Sequence, residues 1–407
     1  ELGLEEATYL FKLLDSDRTS DALLEIDEDD REKILKNLSA QEIAEEIGEM
    51  DTDDAADILS ELSEVRATEV ISEIEDDEHA KDIVDLLRYE EGTAGALMAK
   101  ELVKVKETWL VPTTVRKMRS QAQEVTRVHS IYVVDKDDHL IGRLSLKDLL
   151  VAPAEARIAD IYIPKVDYVN VHDKDEDVAL LMQKYDLEAI PVVDDDHILL
   201  GRITIDDIVD LIREEAEKDY QMAAGITEDI DADDSILDKT KARLPWLVLG
   251  LMGGFAAASI MGGFEDALTQ YPELFYFTPL IAAMAGNVGV QSSAIVVQGL
   301  ATNNIKGSMW SRMVKEIALS VVNGVVLAIL IFLLGSIFQY HSDISMTISI
   351  SLIIVIIIAS LIGTFVPLIL DKNGIDPAVA TGPFITTSND IFGIFIFFFV
   401  AKLILGF

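Results

Sequence analysis

Hydrophobic positions follow three rhythms along this chain. Between Ala7 and Leu87, apolar residues such as Ile34, Leu35, Leu38, Ile43, Ile47, Ala55, Ile58, Leu59 and Leu62 return near a 3.6-residue period, with acidic residues between them. That pattern predicts short amphipathic helices. Between Lys100 and Asp210, β-branched runs bounded by acidic turns alternate with helical stretches, the mark of mixed α/β modules. Beyond Thr240 the apolar residues become nearly continuous. Five segments there are long enough to cross a bilayer: Leu244–Met261, Phe275–Leu300, Val314–Ile337, Ser345–Leu370 and Ala378–Leu405. A spanning helix needs roughly 20 mainly apolar residues, and several of these exceed that, so tilt or protruding ends are expected.

Charge sharpens the division. The 407 residues carry a formal net charge of −39, although 50% of them are hydrophobic. From Thr240 onward the seven basic and eight acidic residues nearly cancel, so about −38 of the total lies before Thr240. Such an anionic body repels nucleic acid and anionic lipid and attracts cations, although a solvated acidic face is the ordinary explanation of any single cluster. With no cysteine, neither disulfides nor thiolate metal sites are available. No signal-peptide pattern precedes the apolar segments, and a first residue other than Met leads us to expect a trimmed amino terminus. Lys239, Lys241 and Arg243 precede the first segment, and Lys306, Arg312 and Lys315 separate the second from the third. The positive-inside rule then places the amino-terminal half in the cytoplasm and, after five crossings, the carboxyl terminus outside.

Two apolar segments carry chemistry. The second contains Met284-Ala285-Gly286-Asn287-Val288-Gly289-Val290-Gln291-Ser292-Ser293, small and polar in mid-membrane. The run suits either close helix packing or an ion-lining surface. The fifth reads Gly382-Pro383-Phe384-Ile385-Thr386-Thr387-Ser388-Asn389-Asp390, placing Asp390 about twelve residues into the helix. A carboxylate at that depth costs about 2.5–3.5 kcal/mol, so it is expected to face a wet or cation-bearing interior. Pro383 is expected to free a backbone carbonyl nearby, and Thr386, Thr387 and Asn389 to add oxygens at the same level.

The α/β region is an internal repeat. Ile131-Tyr132-Val133-Val134-Asp135 returns as Ile190-Pro191-Val192-Val193-Asp194, and Gly142-Arg143-Leu144-Ser145 returns as Gly201-Arg202-Ile203-Thr204, 59 residues later. The pattern resembles a tandem pair of CBS domains. CBS pairs often bind adenine nucleotides, and the strand-end hydroxyl followed by an aspartate is present as Ser145 with Asp148 and Thr204 with Asp207. The same pairs also suit simple helix capping.

Acidic residues are spaced to share helix faces. Asp53 and Asp57 are four apart, and Asp207, Asp210 and Glu214 form a stripe. A further run from Glu228 to Asp234 precedes the first membrane segment. Crowded carboxylates of this kind suit Mg²⁺, which binds through one or two of them while keeping several waters.

Taken together, the acidic helical region, the segment Arg88-Tyr89-Glu90-Glu91-Gly92-Thr93-Ala94-Gly95-Ala96-Leu97-Met98, the CBS pair, the acidic helix and five apolar segments ending on Asp390 resemble the MgtE family of magnesium channels. The resemblance covers essentially the whole chain. It implies a multidomain inner-membrane protein with an all-α acidic domain (1–97), α/β CBS modules (98–160 and 161–222), a connecting helix (223–243) and a five-helix transmembrane domain (244–407). It implies a Mg²⁺-importing homodimer in membrane lipid, with one pore between the two fifth helices and Asp390, Asn287, Gly382 and Thr386 along it. Cytoplasmic Mg²⁺ would hold the pore shut through ligands matching Asp53, Asp57, Glu176, Asp186, Asp207, Asp210, Glu215 and Asp219, with ATP or another adenine nucleotide a further ligand. Val290, Lys218, Gly382 and Thr386 depart from the family's pattern, which bears on selectivity and sensing affinity. The rival readings are a CBS-regulated transporter of another ion and a membrane-anchored nucleotide sensor. An enzyme is disfavoured, since the sequence offers no nucleophile–base pair and no phosphate-cradling glycine loop.

Overall fold

The computed structural model describes all residues except 1, 2, 15, 27, 124, 126, 228, 229, 231–233, 303–307 and 381. Lys306 and most of the acidic run 228–234 therefore lie outside the described residues. The chain forms two compact units, Glu1–Glu214 and Glu215–Phe407.

The first unit opens with seven short helices: α1 Leu4–Phe11, α2 Ser16–Leu24, α3 Glu28–Leu35, α4 Ala40–Ile47, α5 Thr52–Ser60, α6 Glu64–Ile71 and α7 Asp77–Leu86. Local capping sets several boundaries. Ser39 accepts from the Glu42 amide at 3.2 Å while its own amide donates to the Glu42 carboxylate at 2.7 Å, closing a capping box at α4. Asp76 accepts from the Glu78 and His79 amides at the start of α7. Helices of 8–10 residues are marginal alone, so burial of Leu23, Leu35, Ile43, Ile47, Ile58, Leu59, Ile83 and Leu86 is what holds them.

Two matching modules follow. The first holds β1 Val103–Lys106, α8 Val111–Gln121, β2 Ile131–Val134, β3 Leu140–Leu144 and α9 Leu146–Val151. The second holds β4 Val169–Asn170, α10 Asp175–Tyr185, β5 Ala189–Val193, β6 Leu199–Thr204 and α11 Ile205–Ala223. In each three-stranded sheet the first pair is parallel and the second antiparallel. The 59-residue repeat reappears in the pairing itself: Val133 faces Gly142 and Val192 faces Gly201, with the register shifting after Val133 and after Val192. The modules meet over Tyr132, Val134, Leu140, Val193 and Leu199, and exchange backbone bonds from Leu140 to His197 and from Leu199 to Asp138.

The helical domain shares one core with the second module, running through Ala94 and Met98 to Val169, Val178, Ile190, Ile203 and Ile208. Gly95 explains the segment between them. A Cβ there would lie 2.5 Å from the Tyr89 ring and 3.0 Å from the Val171 carbonyl. The first module keeps a separate core around Val105, Ile131, Val133 and Ile158.

In the second unit, α12 Ile236–Gly262, α14 Glu273–Ala301, α15 Met309–Ile337, α16 Ser342–Lys372 and α17 Gly382–Leu405 are each long and apolar enough to span a membrane, and α13 Glu265–Gln270 is a short insertion. Small residues let α17 settle among its neighbours. A Cβ at Gly393 would stand 3.0 Å from that of Ala285, and one at Gly253 or Gly289 would overlap Thr387 or Asn389 respectively.

Three expectations change. The segment 223–243 is not one helix: α11 ends at Ala223, Gly225 turns at φ +81°, and α12 begins at Ile236, several residues before the apolar run, because Ser235 caps it by accepting from the Asp238 amide. The last span starts at Gly382 rather than Ala378, so Asp390 stands eight residues in, about 12 Å along the axis. Pro383 consequently sits in the first turn, where its missing N–H has no intrahelical partner to lose and no carbonyl is freed.

Candidate functional site

In the first unit, the amino end of α5 and the start of α11 enclose a cavity of about 490 Å³. Asp51 caps α5, Asp53 and Asp54 occupy its first turn, and Asp57 follows one turn later. An acidic first turn is favourable to the helix dipole, but here three of these carboxylates also face a second acidic helix end. Asp53 is buried, with 8% exposed, and its carboxylate accepts from the Asp54 amide at 3.0 Å. Burial raises its carboxyl well above the usual range, with further upward push from Asp207, Asp54 and Asp51. Burial and then Asp207 push Asp54 up to about 7. Asp57, whose side chain is exposed, is raised by the protein crowding round it and then by Glu214, against the pull of Arg31. Asp207 is raised by burial too, against the hydrogen bonds it receives from Thr204. These are carboxylates whose charge is only partly offset, by Arg31 at Asp57 and by Arg202 at Asp207.

The cleft's frame is itself polar. Thr52 donates from its hydroxyl to Glu101 at 2.9 Å and accepts from the Lys100 amide at 2.9 Å, while Lys100 reaches Asp85 at 2.7 Å. His79 lies 3.8 Å from Glu101. On the far side of α5, Arg31 pairs with Glu61 and donates to the Leu23 carbonyl, which ties α3 to the end of α5.

Carboxylate oxygens dominate the donors, with His129 the one imidazole among the lining residues, which fits a hard cation. At roughly 30 Å³ per water, a cavity of about 490 Å³ admits an ion with its hydration shell. Of the expected cytoplasmic ligands, Asp53 and Asp207 line this cavity, while Asp57 stands one turn further along α5, exposed and outside the lining. Glu176, Asp186 and Asp210 are exposed elsewhere on the unit. Asp186 serves as the left-handed cap of α10 at φ 51°. In the second unit, Glu215 pairs with Lys218 at 3.3 Å, and Asp219 lies one turn on. Asp51 and Asp54 were not anticipated. Consecutive residues point apart along a helix, but at its open first turn they all border the same space.

The partly offset carboxylates give the cleft a pH dependence. Their native pKa values lie above the unfolded value, so between about pH 8 and pH 4 the folded unit binds protons that the unfolded chain does not. Acidification therefore stabilises the cleft, by on the order of a few kcal/mol in all, and the gain ends below the unfolded pKa. Hydrogen exchange of α5 and α11 in chelator should slow from pH 8 to pH 5.5, and Mg²⁺ should flatten the profile. Exchange rates in chelator that rise on acidification, after correction for intrinsic chemistry, contradict this.

The hydroxyl–aspartate pairs diverge. Thr204 donates to both Asp206 and Asp207, and its amide donates to Asp207 at 3.0 Å, so this copy is a closed cap on α11 that borders the acidic cavity. That cavity is bordered by Asp51, Asp53 and Asp54 and also by Arg127, His129 and Arg202. Ser145 caps α9 without a side-chain hydrogen bond, with Asp148 in that helix's first turn.

In the second unit, a Cβ built on Gly286 would lie 3.3 Å from Thr386 Cγ2 and 3.7 Å from Asp390 Oδ1. Thr386 and Asp390 thus share a face of α17 against α14. The Thr386 hydroxyl donates to the Gly382 carbonyl at 2.9 Å, leaving its methyl toward Gly286. Asn287 is exposed on α14, one residue round from Gly286. Gly382 itself packs on the Ala223 carbonyl, with no room for a Cβ, and Gly225 packs on the Pro383 ring. The expected ring of oxygens is narrower than predicted. Thr387 turns to Gly253, and Asn389 is 1% exposed against Gly289, with both amide atoms unpartnered among the described residues. Helical rotation of about 100° per residue separates Asn389 from Asp390. Gly289→Val should force α17 away from α14 at the cost of several kcal/mol, read as loss of the folded, monodisperse protein in detergent; a stable, active variant would contradict that contact.

Comparison with known proteins covers both units. The profile of the MgtE intracellular N domain matches residues 1–92, that of the CBS domain matches 94–155 and 158–214, and that of the divalent cation transporter MgtE matches 278–400. The magnesium transporter MgtE of Enterococcus faecalis is 37% identical over 325 residues, covering 80% of this chain and 72% of that one. Its namesake in Thermus thermophilus is 34% identical over 332 residues, with 80% and 72% covered. Among solved structures, the soluble part of a magnesium transporter is 35% identical, with TM-score 0.48, over 53% of this chain and 84% of that one. The cytosolic domain of the Mg²⁺ channel MgtE in complex with ATP is 31% identical, with TM-score 0.45, over 52% and 91%.

Proposed function

Because the chain belongs to the MgtE family of divalent cation transporters, we propose that it imports Mg²⁺ across the cytoplasmic membrane and is closed by cytoplasmic Mg²⁺ held at the α5–α11 cleft. The observation that carries this reading is the gathering of Asp53, Asp54, Asp57 and Asp207, whose charges oppose one another until a cation enters. With the ion absent, repulsion drives α5 and the start of α11 apart. With it present, the two helix ends are bridged. Moving a two-state gate from 1:99 to 99:1 takes about 5.5 kcal/mol of differential binding, which several ions can share.

The carboxyl end of α11 supports a route from sensor to pore. Its last residues and Gly225 lie against Gly382 and Pro383, eight residues before Asp390. The working division is 1–97 for sensing, 98–160 and 161–222 for the CBS modules, 223–243 for the connection and 244–407 for transport. In a homodimer two Asp390 carboxylates would flank one hydrated ion, and the exposed Glu176, Asp186 and Asp210 would contribute ligands at a subunit seam, with Glu215 and Asp219 further along α11. The amino terminus is cytoplasmic and the carboxyl terminus outside. Ser145 and Asp148 remain the hydroxyl–carboxylate pair open to an adenine nucleotide. Transport of this kind makes and breaks no covalent bond, so no catalytic residue is assigned.

The test is Mg²⁺ flux in proteoliposomes, with Mn²⁺, Co²⁺ and Ca²⁺ as competitors and the Mg²⁺ on the cytoplasmic face varied. Flux should fall as cytoplasmic Mg²⁺ rises. Flux equal to that of protein-free vesicles, or indifferent to cytoplasmic Mg²⁺, would overturn the reading.

A further inference from the structure

The acidic cleft contains a cation of its own. Arg202 projects from β6, is only 5% exposed, and lines the same cavity as Asp51, Asp53, Asp54 and Asp207. Its backbone is fixed on both sides, since the Ala99 amide donates to its carbonyl at 2.8 Å and its own amide donates to the Ala99 carbonyl at 2.9 Å. The guanidinium donates to the Arg127 carbonyl at 3.1 Å and stands 3.6 Å from the Asp51 carboxylate. Its Nε is buried and unpartnered among the described residues. A guanidinium stays charged at every pH of interest, and burying one is costly unless carboxylates surround it. Arg127, which is exposed, and His129 also border the cavity, but the Arg202 guanidinium is the buried positive charge, and it cannot diffuse away whether or not a metal ion is present. An arriving divalent ion meets repulsion from that charge and must draw Asp51 from it.

We propose that Arg202 is a tethered counter-cation that sets the concentration at which the cleft takes up a divalent ion, steadying the empty cleft and weakening the filled one. The inference rests on the cleft being a cation sensor and adds the residue that tunes its threshold. Its signature is two effects of opposite sign. Neutralising Arg202 loosens the ion-free cleft yet tightens ion binding, whereas lost packing alone would loosen both.

The experiment is hydrogen exchange of α5 and α11 in the full chain in detergent, titrated with Mg²⁺ from a chelated start. In Arg202→Gln, exchange without Mg²⁺ should be faster than in wild type, and the Mg²⁺ midpoint should fall roughly three- to tenfold, the scale of one partly buried charge pair. Arg202→Lys keeps the charge and should hold the midpoint within about twofold. Arg202→Met preserves the stem without the charge and carries the same expectation as Gln where Gln disturbs folding. An unchanged or raised midpoint in the neutral variants, or an equal shift in Arg202→Lys, overturns the proposal while leaving the sensor intact. Absence of any Mg²⁺-dependent protection in wild type removes the sensor itself, and the proposal with it.

Discussion

Asp390→Asn should abolish Mg²⁺ uptake into proteoliposomes, by roughly 100-fold or more, while leaving the protein folded and the proposed response of its soluble half to Mg²⁺ intact. The amide is nearly isosteric, so packing against Gly286 and Thr386 survives. What is lost is the charge. In a low-dielectric span, a carboxylate is the group able to hold a divalent ion that has left bulk water behind. Removing the acid should also remove competition by Mn²⁺ and Co²⁺, since all these ions depend on the same oxygen donors. Flux measured with a Mg²⁺ indicator inside the vesicles decides the matter, and uptake within a few-fold of wild type would move the pathway away from α17.

Asp53→Asn combined with Asp57→Asn should produce the opposite kind of defect, a cleft that closes without Mg²⁺. Both carboxyls are raised, by the protein crowding round them and then by their acidic neighbours, Asp53 in a buried position and Asp57 in an exposed one. An asparagine at 53 can still accept from the Asp54 amide with its side-chain oxygen. Relieving two such charges removes much of the repulsion that ions would otherwise screen, a change on the order of a few kcal/mol. Limited proteolysis in chelator should find the variant as resistant as the wild type is in Mg²⁺, and added Mg²⁺ should protect it little further. A variant more easily cut than wild type in chelator would mean that these carboxylates hold the helices together rather than apart.

Much of this was legible in the sequence because it depends on period and repetition. The five apolar spans, the short acidic helices and the doubled α/β module all follow from local rhythm, and the 59-residue offset even reappears as a shared bulge after Val133 and Val192. The site was legible only in part. Spacing places Asp53 with Asp57 on one face, but it cannot say that this face meets the cap of α11, nor that Asp51 and Asp54 join it at an open helix end. Arg202 sits in a strand whose pattern marks it as half of a repeat, and its burial among acids depends on a fold that brings β6 to Ala99. In the membrane the error lay in the helix start. Apolar length alone put it at Ala378, whereas a 3₁₀ turn at Pro377–Ala380 precedes the true start. That shift reassigns Pro383, and the partition of Thr387 and Asn389 away from Asp390 follows from which glycines receive them.

The glycine contacts at the end of α11 have a mechanical corollary. A helix of 19 residues is a stiff rod about 28 Å long. Its far end is seated on the first turn of α17 with no slack, because neither Gly382 nor Gly225 leaves space for even a methyl group. Any shift of Ala223 or Gly225 is therefore handed directly to the opening turn of α17, the same helix that carries Asp390 two turns further on.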